Sequence, residues 1–244
     1  MQAGQREPIF NVPAVVVALV AAFAAVHAGR QLIDPAADNE FVHMLAYNPA
    51  RYGGAPIALP GGDWAGPVNF FSHAFLHGDM MHLTVNSAWL LAVGSPVARR
   101  MPVLSFLAFF GLCAAGGAFL FMALHAGVNA SLIGASGAIS GLMGAVFRLM
   151  YAAEDARGRH LLRERPIEAP RLKVVSMLTR RAPLVAIAAW VGINVVVGVA
   201  MSSFGGGIAI AWEAHLGGFF AGLLMFELFD RGCADETPTA DASW

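Results

Sequence analysis

The chain has 244 residues, of which 57% are hydrophobic and 13% charged, with a mean hydropathy of +0.62. Soluble domains carry about 25% charged residues, so a soluble globular fold is excluded; nothing favours nucleic-acid binding, because the one basic stretch is short and fits a membrane-topology role. Two cysteines, Cys113 in an apolar run and Cys233 near the C-terminus, exclude a disulfide framework and a cysteine-based metal site.

The apolar residues fall in runs, and a helix needs about 20 of them to cross a bilayer core. Six segments qualify or come close: 10–28, 81–97, 102–125, 132–150, 183–201 and 207–229. The expected fold is an all-α membrane protein, with residues 1–9 preceding a six-helix transmembrane bundle at 10–229 and an acidic tail at 230–244.

The first run has a second reading. Arg6, an apolar stretch and Val26-His27-Ala28 have the layout of a signal peptide with its cleavage site. Its apolar part is long for a signal, and the charge distribution works well with it retained as a span. An outer loop of about 40 residues follows, a length that in a compact protein is commonly functional. Asn39 to Tyr52 reads as an interfacial helix with Phe41, Met44 and Leu45 on one side, ending in turns from Gly53-Gly54 to Pro60-Gly61-Gly62.

The second run is short and polar, and spans only if 68–80 extends it at the interface. It follows Phe71-Ser72-His73-Ala74-Phe75-Leu76-His77 and contains Met81-His82-Leu83-Thr84-Val85-Asn86. His82 and Asn86 are four apart, hence on one helix face at its outer end. The third and sixth runs are the cleanest spans, and the sequon Asn129-Ala130-Ser131 abuts a span and reads as chance. The fourth run opens with Gly134-Ala135-Ser136-Gly137, and the sixth contains Ala214-His215-Leu216-Gly217-Gly218. Between the fourth and fifth, eight of the fifteen Lys/Arg fall from Arg157 to Arg181, a basic stretch that reads as a topology determinant.

With the N-terminus inside, the cytoplasmic parts carry thirteen basic residues, counting Arg148, and the outer loops carry two, Arg30 and Arg51. This satisfies the positive-inside rule. Ser136 then lies about 8 Å, and His215 about 12 Å, below the outer ends of their helices at about 1.5 Å per residue. The two depths are compatible. An ionisable side chain in a span is a functional-site candidate, and a nucleophile type beside a base type points to hydrolytic chemistry. Gly137 with Gly141, and Gly218 with Gly222, are small-residue pairs that bring helix backbones close.

Each feature also has a plain structural reading. A membrane serine commonly bonds back to its own helix, a lone histidine can be packed or gate a ligand, and glycine pairs serve packing. His73, His77 and His82 could ligate zinc, but no acid stands in an H-E-x-x-H arrangement. Glu213 is the acid nearest His215, yet two residues along a helix is about 200° of rotation, so the pair reads as a Ser–His dyad with no acidic third member.

Taken together, Gly134-Ala135-Ser136-Gly137, Ala214-His215-x-x-Gly218-x-x-x-Gly222, His82-x-x-x-Asn86 and the upstream Phe75-Leu76-His77 resemble the rhomboid family of intramembrane serine proteases. The resemblance covers three of the six spans, with matching order and spacing. It implies Ser136 as nucleophile, His215 as general base and then acid, and His82, Asn86 and the Ser136 N–H as oxyanion donors, with no cofactor and no metal. It implies a six-helix bundle with a membrane-associated first outer loop, and a gate and cap at span five and the 202–206 loop (Ser202, Ser203, Phe204). Substrates would be single-span membrane proteins cut near the outer boundary.

Two departures stand out. Many members carry an aromatic residue four after the nucleophile, stacked on the histidine; here it is Ser140. The Trp-Arg pair of the first loop is also absent, Arg51-Tyr52 being nearest. One rival reading is a rhomboid-like client-binding protein without activity, although such proteins typically lack the Ser or His. Another is a small transporter, which would often show inverted repeats; none is evident. Short loops and an N-terminus unlike a transit peptide suggest a bacterial cytoplasmic membrane, with both termini inside. Substrate identity and oligomeric state are not legible.

Overall fold

The computed structural model describes residues 12–52, 59–153, 156–203 and 211–232. The Gly53-Gly54 turn, Phe204 and the tail beyond Gly232 lie outside the described residues. The described chain is all-helical, with one isolated backbone bridge between Tyr47 and Leu132. Among the described residues, each of the six apolar segments is largely helical. They correspond to α1 (Ala14–Arg30), α4 (Met80–Trp89) continued into α5 (Ser95–Ala98), α6 (Val103–Leu124), α7 (Ser136–Met150), α10 (Arg181–Ser203) and α11 (Trp212–Phe229). Two stretches, Val103–Leu124 and Arg181–Met201, are by themselves long and apolar enough to cross a membrane, whereas α1 and α7 are apolar but shorter.

The rod from Met80 to Ala98 widens into a π-helical turn at Leu90–Gly94. Pro96 has no N–H and its ring would press on the carbonyl four residues back, and a wider turn just ahead of it relieves both problems. Asp79 starts this rod, its carboxylate accepting from the His82 N–H at 2.8 Å.

Core packing centres on α6, α7 and α11. Phe106, Phe109, Cys113, Ala138, Leu142 and Phe226 share one buried cluster with Phe23 of α1. The α7–α11 seam is built on glycines: a Cβ on Gly218 would overlap the Gly137 carbonyl oxygen, and one on Gly222 would overlap that of Gly141. Only hydrogen fits there. Where α11 ends, buried Arg100 meets Asp230 through two hydrogen bonds of 2.7 Å, and Arg171 reaches the same carboxylate at 2.9 Å. Buried Arg148 donates to the Leu172 and Leu223 carbonyls and to Glu227 at 2.6 Å.

The outer loop differs from expectation. Its helix α2 runs Pro35–Leu45, earlier than the Asn39–Tyr52 expected, and a separate 3-10 turn covers Pro49–Tyr52. Asp34 accepts from the Ala36 and Ala37 N–H groups with Pro35 in the first turn, a strong start signal. Pro49 bars Asn48 from helical geometry, and the Asn48 side chain instead bonds Ala50 and Asn129. A further helix, α3 (Gly62–Ser72), takes residues expected only to extend span two, and packs on α6. The loop is tied down through Asn69 to the Ala46 carbonyl, Ser72 to the Leu45 carbonyl, and Arg51 to the carbonyls of His43 and Pro60. Arg51 thus serves as an internal clamp without a tryptophan partner. The Arg30 guanidinium, hydrogen-bonded to Asp38, holds that carboxyl below the usual carboxylate range and joins α2 to the end of α1. Two short helices complete the chain on the basic loop, α8 (Ala156–Glu164) and α9 (Val174–Thr179).

Candidate active site

Ser136 is the first residue of α7, so its N–H is one of the donors a helix start leaves unpaired. His215 is in the first turn of α11. Although 79 residues apart, Ser136 Oγ and His215 Nε2 lie 2.9 Å apart. The glycine seam makes this possible. With Gly137 against Gly218, the two backbones approach closely enough for a short hydroxyl to reach an imidazole.

The other ring nitrogen also has a partner. His215 Nδ1 is 3.0 Å from Oδ1 of Asn194, in α10, and Asn194 Nδ2 donates to the Trp190 carbonyl at 2.9 Å. Asn194 went unnoticed in the sequence reading, which sought an acid as the third member. Its signal was available: it is the one Asn, Asp, Glu or Gln in the 183–201 run, and a lone amide in a span usually bonds across helices. Glu213 faces away from His215, its carboxylate 3.7 Å from His125 Nε2.

His82 and Asn86 flank the same spot. Gly134, at φ +107°, turns the chain into α7, and its N–H donates to the His73 carbonyl at 2.9 Å. A Cβ at Gly134 would collide with His82 Nε2 and lie 3.5 Å from Asn86 Nδ2. Both nitrogens therefore converge just ahead of Ser136. Asn86 is buried, and its Nδ2 makes no hydrogen bond among the described residues. His82 Nδ1 accepts a long bond, 3.4 Å, from the Gly78 N–H, which leaves the proton on Nε2. Two donors converging on one point beside Gly134 suit an oxygen that gains negative charge.

Of the three histidines weighed as zinc ligands, only His73 has a hydrogen bond from its ring to a backbone carbonyl, and both ring nitrogens of His77 are without a partner among the described residues. His73 Nδ1 meets the Asn69 carbonyl at 2.8 Å, while the His77 and His82 rings pack edge to face at 5.1 Å. Ser140 is buried on α7; with no ring there to stack on His215, a hydrogen bond to Asn194 engages it instead.

A family model described as the Rhomboid domain matches residues 65–230, well over half of the chain. The matched range runs from α3 to the end of α11 and contains Ser136, His215, His82, Asn86 and Asn194. No curated protein matches the chain.

Proposed function

The chain belongs to the rhomboid family, and from that premise we propose that it is an intramembrane serine endopeptidase. In this reading α1, α4–α5, α6, α7, α10 and α11 are the six spans. Both termini are cytoplasmic, because thirteen of fifteen basic residues then lie inside. The Ser136 end of α7 faces the outer side of a bacterial inner membrane. The substrate is a single-span protein, whose helix must unwind locally before a peptide bond is exposed, so glycine or proline in its span lowers the cost.

The observation that carries the reading is the 2.9 Å contact between Ser136 Oγ and His215 Nε2. As Oγ attacks the scissile carbonyl carbon, its proton passes to Nε2. The carbonyl oxygen becomes an oxyanion, met by the Ser136 N–H, His82 Nε2–H and Asn86 Nδ2. Collapse breaks the C–N bond, and His215 returns the proton to the leaving amine. Water then attacks the acyl-enzyme, with His215 again taking and returning a proton, to release the carboxylic acid and restore Ser136. No metal or cofactor enters these steps.

The test is reconstitution of the pure protein in liposomes with a single-span substrate and a chelator. Cleavage is expected from the wild type and from neither Ser136→Ala nor His215→Ala, and a fluorophosphonate should label the wild type but not Ser136→Ala. Cleavage that survives Ser136→Ala, or that requires metal, overturns the mechanism. Client binding without cleavage by the wild type would mark an inactive relative instead.

A further inference from the structure

Ser136 can give up its proton only if Nε2 of His215 bears a lone pair, so the ring must carry its hydrogen on Nδ1. The neighbours of Asn194 decide which form is present. The Trp190 carbonyl can only accept, so the amide nitrogen of Asn194 must face it, at 2.9 Å. The amide oxygen is thereby turned to His215 Nδ1, at 3.0 Å. An oxygen there accepts from Nδ1–H and is repelled by the lone pair of the other tautomer. We infer that Asn194 is the positioning residue of this site, fixing the tautomer and the ring plane of His215; the inference rests on the serine-protease reading.

An amide in the orienting position fails in a serine protease triad when it leaves the histidine in the wrong tautomer. Here the Trp190 carbonyl forbids the amide flip that would cause this. The arrangement is closer to the Cys-His-Asn set of papain-like proteases, where an amide orients the base.

Asn194 also belongs to a helix that is sparsely packed against its neighbours. In the apolar window of α10 only 11% of residues are buried, against 39% in that of α6, and α10 packs chiefly on α11 and α9. Its contact with α11 is narrow: Trp190 stacks on Phe219 at 4.2 Å, and Gly198 admits the Trp212 ring. The base is therefore set only while α10 is seated on α11.

The experiment compares the wild type with Asn194→Leu, Asn194→Ala and Asn194→Asp in liposomes. It measures kcat and KM separately, thermal unfolding, and the ¹⁵N spectrum of His215, assigned by its loss in His215→Gln. Removing the orienting partner of a functional histidine costs roughly 10- to 100-fold at metal sites, and a drop in kcat of about that size is expected for Leu and Ala, with KM little changed. The protonated-Nδ1 signal of His215 should vanish in both and persist in Asn194→Asp, which keeps an acceptor and should recover most of the rate. A leucine variant with wild-type kcat, an unchanged His215 spectrum, or an aspartate variant as slow as leucine each overturns the inference while leaving proteolysis intact. A wild type that neither cleaves nor takes a fluorophosphonate at Ser136 overturns the protease reading instead. The ¹⁵N spectrum still tests the Asn194–His215 bond in that case.

Discussion

Two histidines in this site are set in opposite tautomers by backbone groups. The Gly78 N–H gives His82 a protonated Nε2, aimed at Gly134. The Trp190 carbonyl, acting through Asn194, gives His215 a bare Nε2, aimed at Ser136. One nitrogen is thus ready to donate to an oxyanion and the other to accept a proton. His82→Ala and Asn86→Ala are each expected to lower kcat by roughly 10- to 1,000-fold, in the range seen when oxyanion donors are lost. Fluorophosphonate labelling and circular dichroism check that the dyad and fold survive. Unchanged turnover in both variants would remove these residues from the mechanism. Ser136, His215, His82 and Asn86 were legible in the sequence because polar groups in apolar runs are costly and so stand out. Asn194 carries the same signal, but unlike Asn86 it has no histidine one helical turn away to mark it.

At the scale of elements, the seam between α7 and α11 positions the dyad. Gly137 faces Gly218 and Gly141 faces Gly222, so an added side chain meets backbone rather than a yielding side chain. Gly218→Val and Gly222→Val are expected to destabilise by about 3 kcal/mol, at the upper end of typical overpacking costs, and to abolish cleavage by parting Ser136 from His215. Gly192, on α10, has open space where its Cβ would be. Gly192→Ala should leave activity unchanged and add up to about 1 kcal/mol through helix propensity. Unfolding in detergent micelles, with cleavage measured in parallel, checks both. The glycine pairs could be read from the sequence, but not which pair faces which, because spacing along a helix says nothing of its rotation toward a neighbour. The boundaries of α2 shifted for a local reason: Asp34-Pro35 and Pro49 start and stop helices more strongly than the apolar pattern around them.

Across the whole molecule, the two ends of the helix bundle are secured differently. Glycine contacts hold the helices close where the site lies, while the opposite end is fastened by Arg100, Arg171 and Asp230, whose side chains are almost wholly buried. Breaking such a group strands a buried charge and typically costs about 3–5 kcal/mol. Asp230→Ala is therefore expected to lower unfolding stability by about that amount. At temperatures where the variant remains folded, the dyad at the far end should still take a fluorophosphonate. Loss of labelling without loss of stability would contradict this separation of roles.

The sequence by itself determined that the chain is helical and apolar enough for a membrane, roughly where its apolar helices fall, and which polar residues are out of place in lipid. Those are properties of hydropathy and local propensity, written in consecutive residues. Only the tertiary structure decided that Ser136 meets His215 across 79 residues, and that Asn194, 21 residues from His215, takes up its other nitrogen. Helix rotation and neighbour choice arise from side chains interlocking between distant segments. A gap of a few ångströms settles whether two groups share a proton, and no linear pattern encodes it.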